Sequence, residues 1–156
     1  MDALKQQFGA EIRTDRGREI AHVPREKIIE ALTHLREQEG FDCLLDLTAV
    51  DLEGYPDPAP GRFAVVYELY SFAKNARCRV KTFLPADDPR LRSATAVWPG
   101  AGWAEREVFD LMGIRFEGHP DLRRILLPEG FEHHPLRKEY PVQGKGERDG
   151  FERYYR

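Results

Sequence analysis

Prolines at positions 120, 128, 135 and 141 recur every six to eight residues, and they dictate what the chain can become after Gly118. Proline has no N–H to donate and fixes φ, so neither a long helix nor an interior strand can run through this stretch. The segment must be mostly extended, with one helical turn expected at Leu122 to Leu126. Extended chain has few backbone partners of its own, so it stays ordered only against its own domain or against another protein. The stretch from Glu105 to Pro141 also gathers acids, arginines, three histidines and three glycines without any nucleophile motif or metal-ligand spacing. That is the composition of a docking surface.

Upstream, the pattern alternates between helix and strand. Ala3 to Phe8 suits a short helix, and Ala10–Arg13 and Arg18–Val23 flank Asp15-Arg16-Gly17, a hairpin turn. Pro24 stands at a helix start, and Ile28, Ile29, Leu32 and Leu35 recur at helical spacing before Gly40, which predicts an amphipathic helix over 25–38. Phe41 to Leu52 alternates, with Phe41, Cys43, Leu45, Leu47 and Ala49 on one face of a strand. Prolines 56, 58 and 60 make Glu53 to Gly61 a stiff loop, and Arg62 to Phe72 is apolar on both faces, as the sheet's centre would be. A turn at Ala73 to Ala76 returns the chain into a strand whose Arg77, Arg79 and Lys81 line one wet face. Leu91 to Val97 suits a short helix. Beyond Pro99, Ala104, Val108, Leu111 and Met112 form one helical stripe that Gly113 closes.

These elements define an α+β single domain with a mixed, largely antiparallel sheet and flanking helices, followed by an extended proline-rich C-terminal segment. We assign 1–118 to the core and 119–156 to a docking tail of the same functional unit. Residues from Gln143 to Arg156 read as frayed in isolation.

At 156 residues, one hydrophobic core is expected. With 24 basic against 27 acidic residues the net charge is −3, which excludes the positive field that gathers nucleic acid. From His119 onward eight Lys/Arg face seven Asp/Glu, so the tail is no polybasic membrane anchor. Cys43 and Cys78 fall in strand patterns and suit reduced thiols in a reducing compartment. No targeting segment is recognisable at the start, and no run approaches the roughly 20 apolar residues that span a bilayer. Membrane association would be indirect.

His119, His133 and His134 show no HxxxH, HExxH or CxxC spacing, so converging metal ligands are not expected. G-x-S-x-G, G-x-G-x-x-G and Walker-type loops are absent from the sequence, and no cofactor can be placed on it. On the helix after Pro99 the wet side carries Glu105, Arg106, Glu107 and Asp110, where Arg106 and Asp110 can pair on a solvated surface. Arg123, Arg124, Arg137 and Lys138 suit bidentate contacts to carboxylates of a partner, with ordinary surface arginine as the competing reading.

Glu105-Arg106-Glu107, Asp110-Leu111-Met112-Gly113-Ile114, Phe116, Gly118-His119-Pro120-Asp121-Leu122-Arg123-Arg124 and His134-Pro135-Leu136-Arg137-Lys138-Glu139-Tyr140-Pro141 carry a likeness in both order and spacing. They resemble the thirty-kilodalton subunit family of respiratory complex I, the proton-pumping NADH:quinone oxidoreductase. The resemblance covers roughly residues 10 to 141. Met112 stands where an aromatic is common and His133 where glycine is common, and many relatives carry a longer tail. It implies a soluble, non-catalytic subunit of the peripheral arm, on the cytoplasmic side of a bacterial inner membrane, with no cofactor of its own. FMN, iron–sulfur clusters, NADH and quinone would belong to companion subunits. The partner implied is chiefly the forty-nine-kilodalton subunit near the quinone-reaction region, with cluster-bearing subunits adjoining. Its interface would comprise Glu105, Arg106, Glu107, Asp110, His119, Arg123, Arg124, His134, Arg137 and Lys138. An equivalent subunit of a membrane-bound hydrogenase or a ferredoxin- or F420-linked complex is the alternative, and a free-standing small enzyme using His119 a remote one.

Overall fold

The structure, a computed structural model, describes residues 1–57 and 59–146. Helix α1 (Asp2–Phe8) leads into the hairpin β1 (Glu11–Asp15) and β2 (Arg18–His22), whose two loop residues, Arg16 and Gly17, both take positive φ. Such a turn matches the right-handed twist of its strands. A 3₁₀ turn (Arg25–Lys27) precedes α2 (Ile28–Glu37), so Pro24 starts a 3₁₀ rather than an α segment. Strands β3 (Cys43–Asp51), β4 (Phe63–Ser71) and β5 (Ala76–Leu84) follow, then β6 (Arg90–Arg92), α3 (Ala101–Met112) and β7 (Arg115–Glu117).

The main sheet has the order β1-β2-β5-β4-β3, antiparallel except where β2 meets β5. The centre is therefore β5 rather than β4, because β2 docks on the side of β5 that the β4–β5 hairpin leaves open. Leu32, Phe63, Val65, Tyr67, Leu69 and Val80 are fully buried in a cluster that joins one sheet face to all three helices. Each such aliphatic or aromatic side chain contributes about 1.5–3 kcal/mol of burial.

Three expectations change. A bulge between Leu44 and Asp46 breaks the alternation of β3, so Leu45 leaves the core face and is exposed. Leu91 lies not in a helix but in β6, paired in parallel with β7, and the 93–98 region makes only a turn, since Ser93 N–H goes to Glu117 O and Ala94 N–H to the Glu105 carboxylate. The required crossover between β6 and β7 is α3. Leu122 to Leu126 makes no helical turn, for a reason found at Asp110. Among the described residues no helix is long and apolar enough to cross a membrane. Of the segment expected to fray, residues 147–156 lie outside the described residues.

Candidate functional site

Residues 123–138 run beside α3 in the direction of its axis, fastened at successive turns. Arg106 donates from Nε to Arg123 O and from Nη2 to Arg124 O, both at 3.0 Å. One turn on, the fully buried Asp110 carboxylate accepts the N–H groups of Ile125 (3.0 Å), Leu126 (2.8 Å) and Leu127 (2.9 Å) on one oxygen and Arg124 Nη1 (2.7 Å) on the other. These three N–H groups would have served a helical turn had their acceptors been backbone carbonyls. His134 Nδ1 donates to Asp110 O at 2.9 Å, Leu136 N to Leu111 O at 3.0 Å, and Arg137 Nε to Met112 O at 2.7 Å. The last three α3 residues would otherwise leave these carbonyls without intrahelical donors. Burial holds His134 below its ordinary pKa, helped by Arg137 and Arg124 nearby, so it is neutral at neutral pH.

Past Arg137 the segment crosses to the end of β3. There Asp51, also buried, accepts Lys138 N at 2.9 Å, Glu53 N at 3.0 Å, and Arg62 through Nη2 at 2.9 Å and Nε at 3.2 Å. Arg62 also pairs with Glu53 at 2.8 Å and with Glu139. Carboxylate oxygens of Asp51, Glu53 and Glu139 lie within 4.8 Å of one another, close enough for a hard cation, but the guanidinium of Arg62 stands among them and serves as that cation. The sequence held no signal for this group, in which Asp51 and Lys138 meet across 87 positions of chain.

Glu105 and Asp110 were expected on a solvated face, with Arg106 pairing to Asp110. Both acids are instead fully buried, and Arg106 binds the carbonyls of Arg123 and Arg124 rather than Asp110. Glu105 accepts Ser93 Oγ and Ala94 N, each at 2.6 Å, and its Oε2 is 3.9 Å from His119 Nε2. Because Asp121 N donates to His119 Nδ1 at 2.9 Å, Nε2 carries the proton and donates to Gly102 O at 3.1 Å. Burial raises the Glu105 carboxyl above its usual range, more than Ser93, Ala94 and His119 lower it. A raised folded value means the native state holds this proton more tightly. Its contribution to stability is therefore full below the unfolded value of about 4.3 and is lost as pH rises through the folded one. Glu105→Gln keeps an acceptor for Ala94 and offers a donor towards Ser93. Urea titrations at pH 5 and pH 8 should show a smaller loss of stability for this variant than for wild type, and an unchanged loss would mean the buried charge is not its source.

Glu107 is exposed on α3, Arg123 pairs with Asp121 at 2.7 Å on the surface, and Lys138 is exposed, contributing its backbone N–H to Asp51. Arg137 stacks 5.3 Å over Phe63, as Arg62 does at 4.9 Å from the same ring. Gly113 makes this close approach feasible. It takes φ +72°, and a Cβ there would lie 2.5 Å from His134 Cδ2 and Nε2 and 2.7 Å from Arg137 Nη2. Gly113→Ala should cost about 1–2 kcal/mol in backbone strain alone and push the 134–137 stretch outward. Faster amide exchange at Leu136 would report the displacement, and unchanged exchange would contradict it.

The fold and its fastened segment define a class: an α+β chain of one five-stranded sheet, helices on one face, with a proline-rich strap laid along its last helix. Residues 21–146 match the family described as respiratory-chain NADH dehydrogenase, 30 Kd subunit, and the chain belongs to it. NADH-quinone oxidoreductase subunit 5 of Thermus thermophilus is 50% identical over 125 residues, 77% of this chain, and the chain spans 60% of that relative's length. Among solved structures, a trypsin-resistant fragment of Nqo5 superposes with TM-score 0.69 at 43% identity, covering 73% of this chain and 90% of the fragment. A chain of the membrane-bound sulfane sulfur reductase, an archaeal respiratory membrane complex, superposes with TM-score 0.76 at 25% identity, covering 99% of this chain and 91% of that one.

Proposed function

We propose that this chain is a non-catalytic, peripheral-arm subunit of NADH:quinone oxidoreductase, the complex that passes electrons from NADH to quinone and couples this to proton translocation. Its role is to dock on the forty-nine-kilodalton subunit near the quinone-reaction region through the strap along α3, with cluster-bearing subunits adjoining. FMN, iron–sulfur clusters, NADH and quinone reside on companions, and the chain meets the inner membrane's cytoplasmic side through them. The family match over 21–146 carries this reading.

The test is purification of the tagged chain from native membranes in mild detergent, with mass spectrometry of its companions and an NADH:quinone activity assay. Recovery of the forty-nine-kilodalton, cluster-bearing and NADH-oxidising subunits with activity is expected, and a lone monomer would refute it. The second reading is an equivalent subunit of a related complex without NADH input, hydrogenase-type or ferredoxin- or F420-linked. It is favoured by the superposition on the sulfane sulfur reductase chain, and recovery of that kind of companion would select it.

A further inference from the structure

The arginines of the strap are already engaged within the chain, whereas the Lys138 side chain is exposed. Arg124 Nη1 is shared among Asp110 Oδ1, Asp110 O and His133 O, Arg137 lies on Met112 O and Phe63, Arg106 on two strap carbonyls, and Arg123 on Asp121. Large apolar side chains along the same path are left in water. Leu126 is 61% exposed, Leu136 52% and Val142 101%, and Trp103, under Arg106 at 5.2 Å, is 66% exposed. Single exposed leucines are ordinary, but several along one strap, beside an exposed tryptophan, mark a surface meant to be covered.

We propose that Leu126, Leu136 and Val142, with Trp103, form an apolar docking face whose occupant is a companion subunit presenting a hydrophobic surface, and that the strap's arginines act inside the chain to hold this face in shape. This rests on the docking role proposed above and names the chemistry of the contact. Charge complementarity decides the occupant. A carboxylate on a partner would have to displace Asp110, Asp121 or main-chain carbonyls to pair with these arginines, and exchanging one pair for another yields little. Covering the apolar side chains removes them from water with no such exchange, and a few anchors of this kind dominate most interfaces. Holding the strap against α3 beforehand lowers the ordering cost of association.

The experiment measures binding of the purified full-length chain to the purified forty-nine-kilodalton subunit by biolayer interferometry. Wild type is compared with Leu126→Asp/Leu136→Asp, with Val142→Asp, and with Phe72→Asp. Phe72 is a comparably exposed apolar residue on the β4–β5 turn, away from the strap. Thermal melts confirm that each variant folds. The double variant should bind at least tenfold more weakly with its melt unchanged, Val142→Asp should also weaken binding, and Phe72→Asp should bind as wild type. Wild-type affinity should change less than about threefold between 50 and 500 mM salt, where screening would dissolve a charge-paired contact. Strap variants that bind as wild type, or binding that collapses in salt, would overturn the proposal while leaving the docking role standing. A wild-type homodimer dissolved by the double variant would also overturn it, by making a second copy the occupant. If wild type shows no binding to the forty-nine-kilodalton subunit at all, the docking role itself fails and this proposal with it.

Discussion

Asp110→Ala is expected to release residues 124–127 from α3 and to cost about 3–5 kcal/mol, the range for removing one partner of a buried charge pair. Arg124 keeps the carbonyls of residue 110 and His133 and the Phe131 ring at 5.9 Å, with no other carboxylate in contact among the described residues, and three backbone N–H groups lose their acceptor together. Because the strap can open without unfolding the sheet, the full cost is visible only if local opening is measured. Amide exchange at Ile125, Leu126 and Leu127 should accelerate by at least about a hundredfold, since about 1.4 kcal/mol corresponds to a factor of ten. The midpoint of global melting should fall less than that cost would imply. Unchanged protection at these three amides would remove Asp110 from its role. Acid should mimic the substitution. Burial pushes the Asp110 carboxyl up, but the Leu127 N–H, Arg124 and the Ile125 and Leu126 N–H groups together bring it below its ordinary value. A depressed folded value contributes stability above the unfolded pKa of about 3.9 and loses it as pH falls through the folded one. Strap protection should therefore persist to about pH 4 and disappear below it, opposite in sign to the effect of Glu105.

Local periodicity made most of the fold legible. The helical stripe of α3, the hairpin at Arg16-Gly17 and the β4–β5 pair are all written in residues within one turn or one register of each other. What was not legible depended on contacts distant in the chain. Leu91 carries no local mark of being a strand, because its partner is Phe116, placed there only after α3 folds. The bulge at Leu44 and Asp46 reverses a side-chain face that strict alternation would keep. For the site, the sequence located the right segment and the right residue types but not the direction in which they act. Asp110 occupies a polar position of an amphipathic helix, and only the return of the strap turns that side into an interior one, whereas Glu105 stands in line with the buried Ala101, Val108 and Met112 and is met there by Ser93 and Ala94. Asp51 and Arg62 lay outside the segment that composition singled out, and nothing short of the folded chain joins them to Lys138 and Glu139.

The Asp51–Arg62 pair at the far end of the strap should respond asymmetrically to the loss of either member. In Asp51→Ala, Arg62 retains Glu53 and Glu139 and remains partly open to water, while the Lys138 and Glu53 N–H groups can be hydrated, so the cost should be about 1–3 kcal/mol. In Arg62→Ala the fully buried Asp51 carboxylate keeps only two N–H donors and no cation among the described residues, Glu139 is left with Arg137 at 3.8 Å, and the contact of Arg62 with the Phe63 ring disappears. An uncompensated buried charge makes this the larger loss, about 3–5 kcal/mol. The two losses should not add in the double variant, since removing Asp51 relieves the charge that Arg62→Ala strands, and a coupling of about 1–3 kcal/mol is expected from the cycle. In the native protein burial raises the Asp51 carboxyl, but Arg62 and the Lys138 and Glu53 N–H groups bring it below its ordinary value. Without Arg62 the folded value moves up, so the deficit of Arg62→Ala relative to wild type should shrink as pH falls and Asp51 takes a proton. Denaturant titrations of the three variants at pH 7 and pH 4.5 provide the measurement. If Asp51→Ala proves as costly as Arg62→Ala at both pH values, desolvation of the Asp51 charge is not what governs this end of the strap, and loss of the Lys138 and Glu53 hydrogen bonds would account for both.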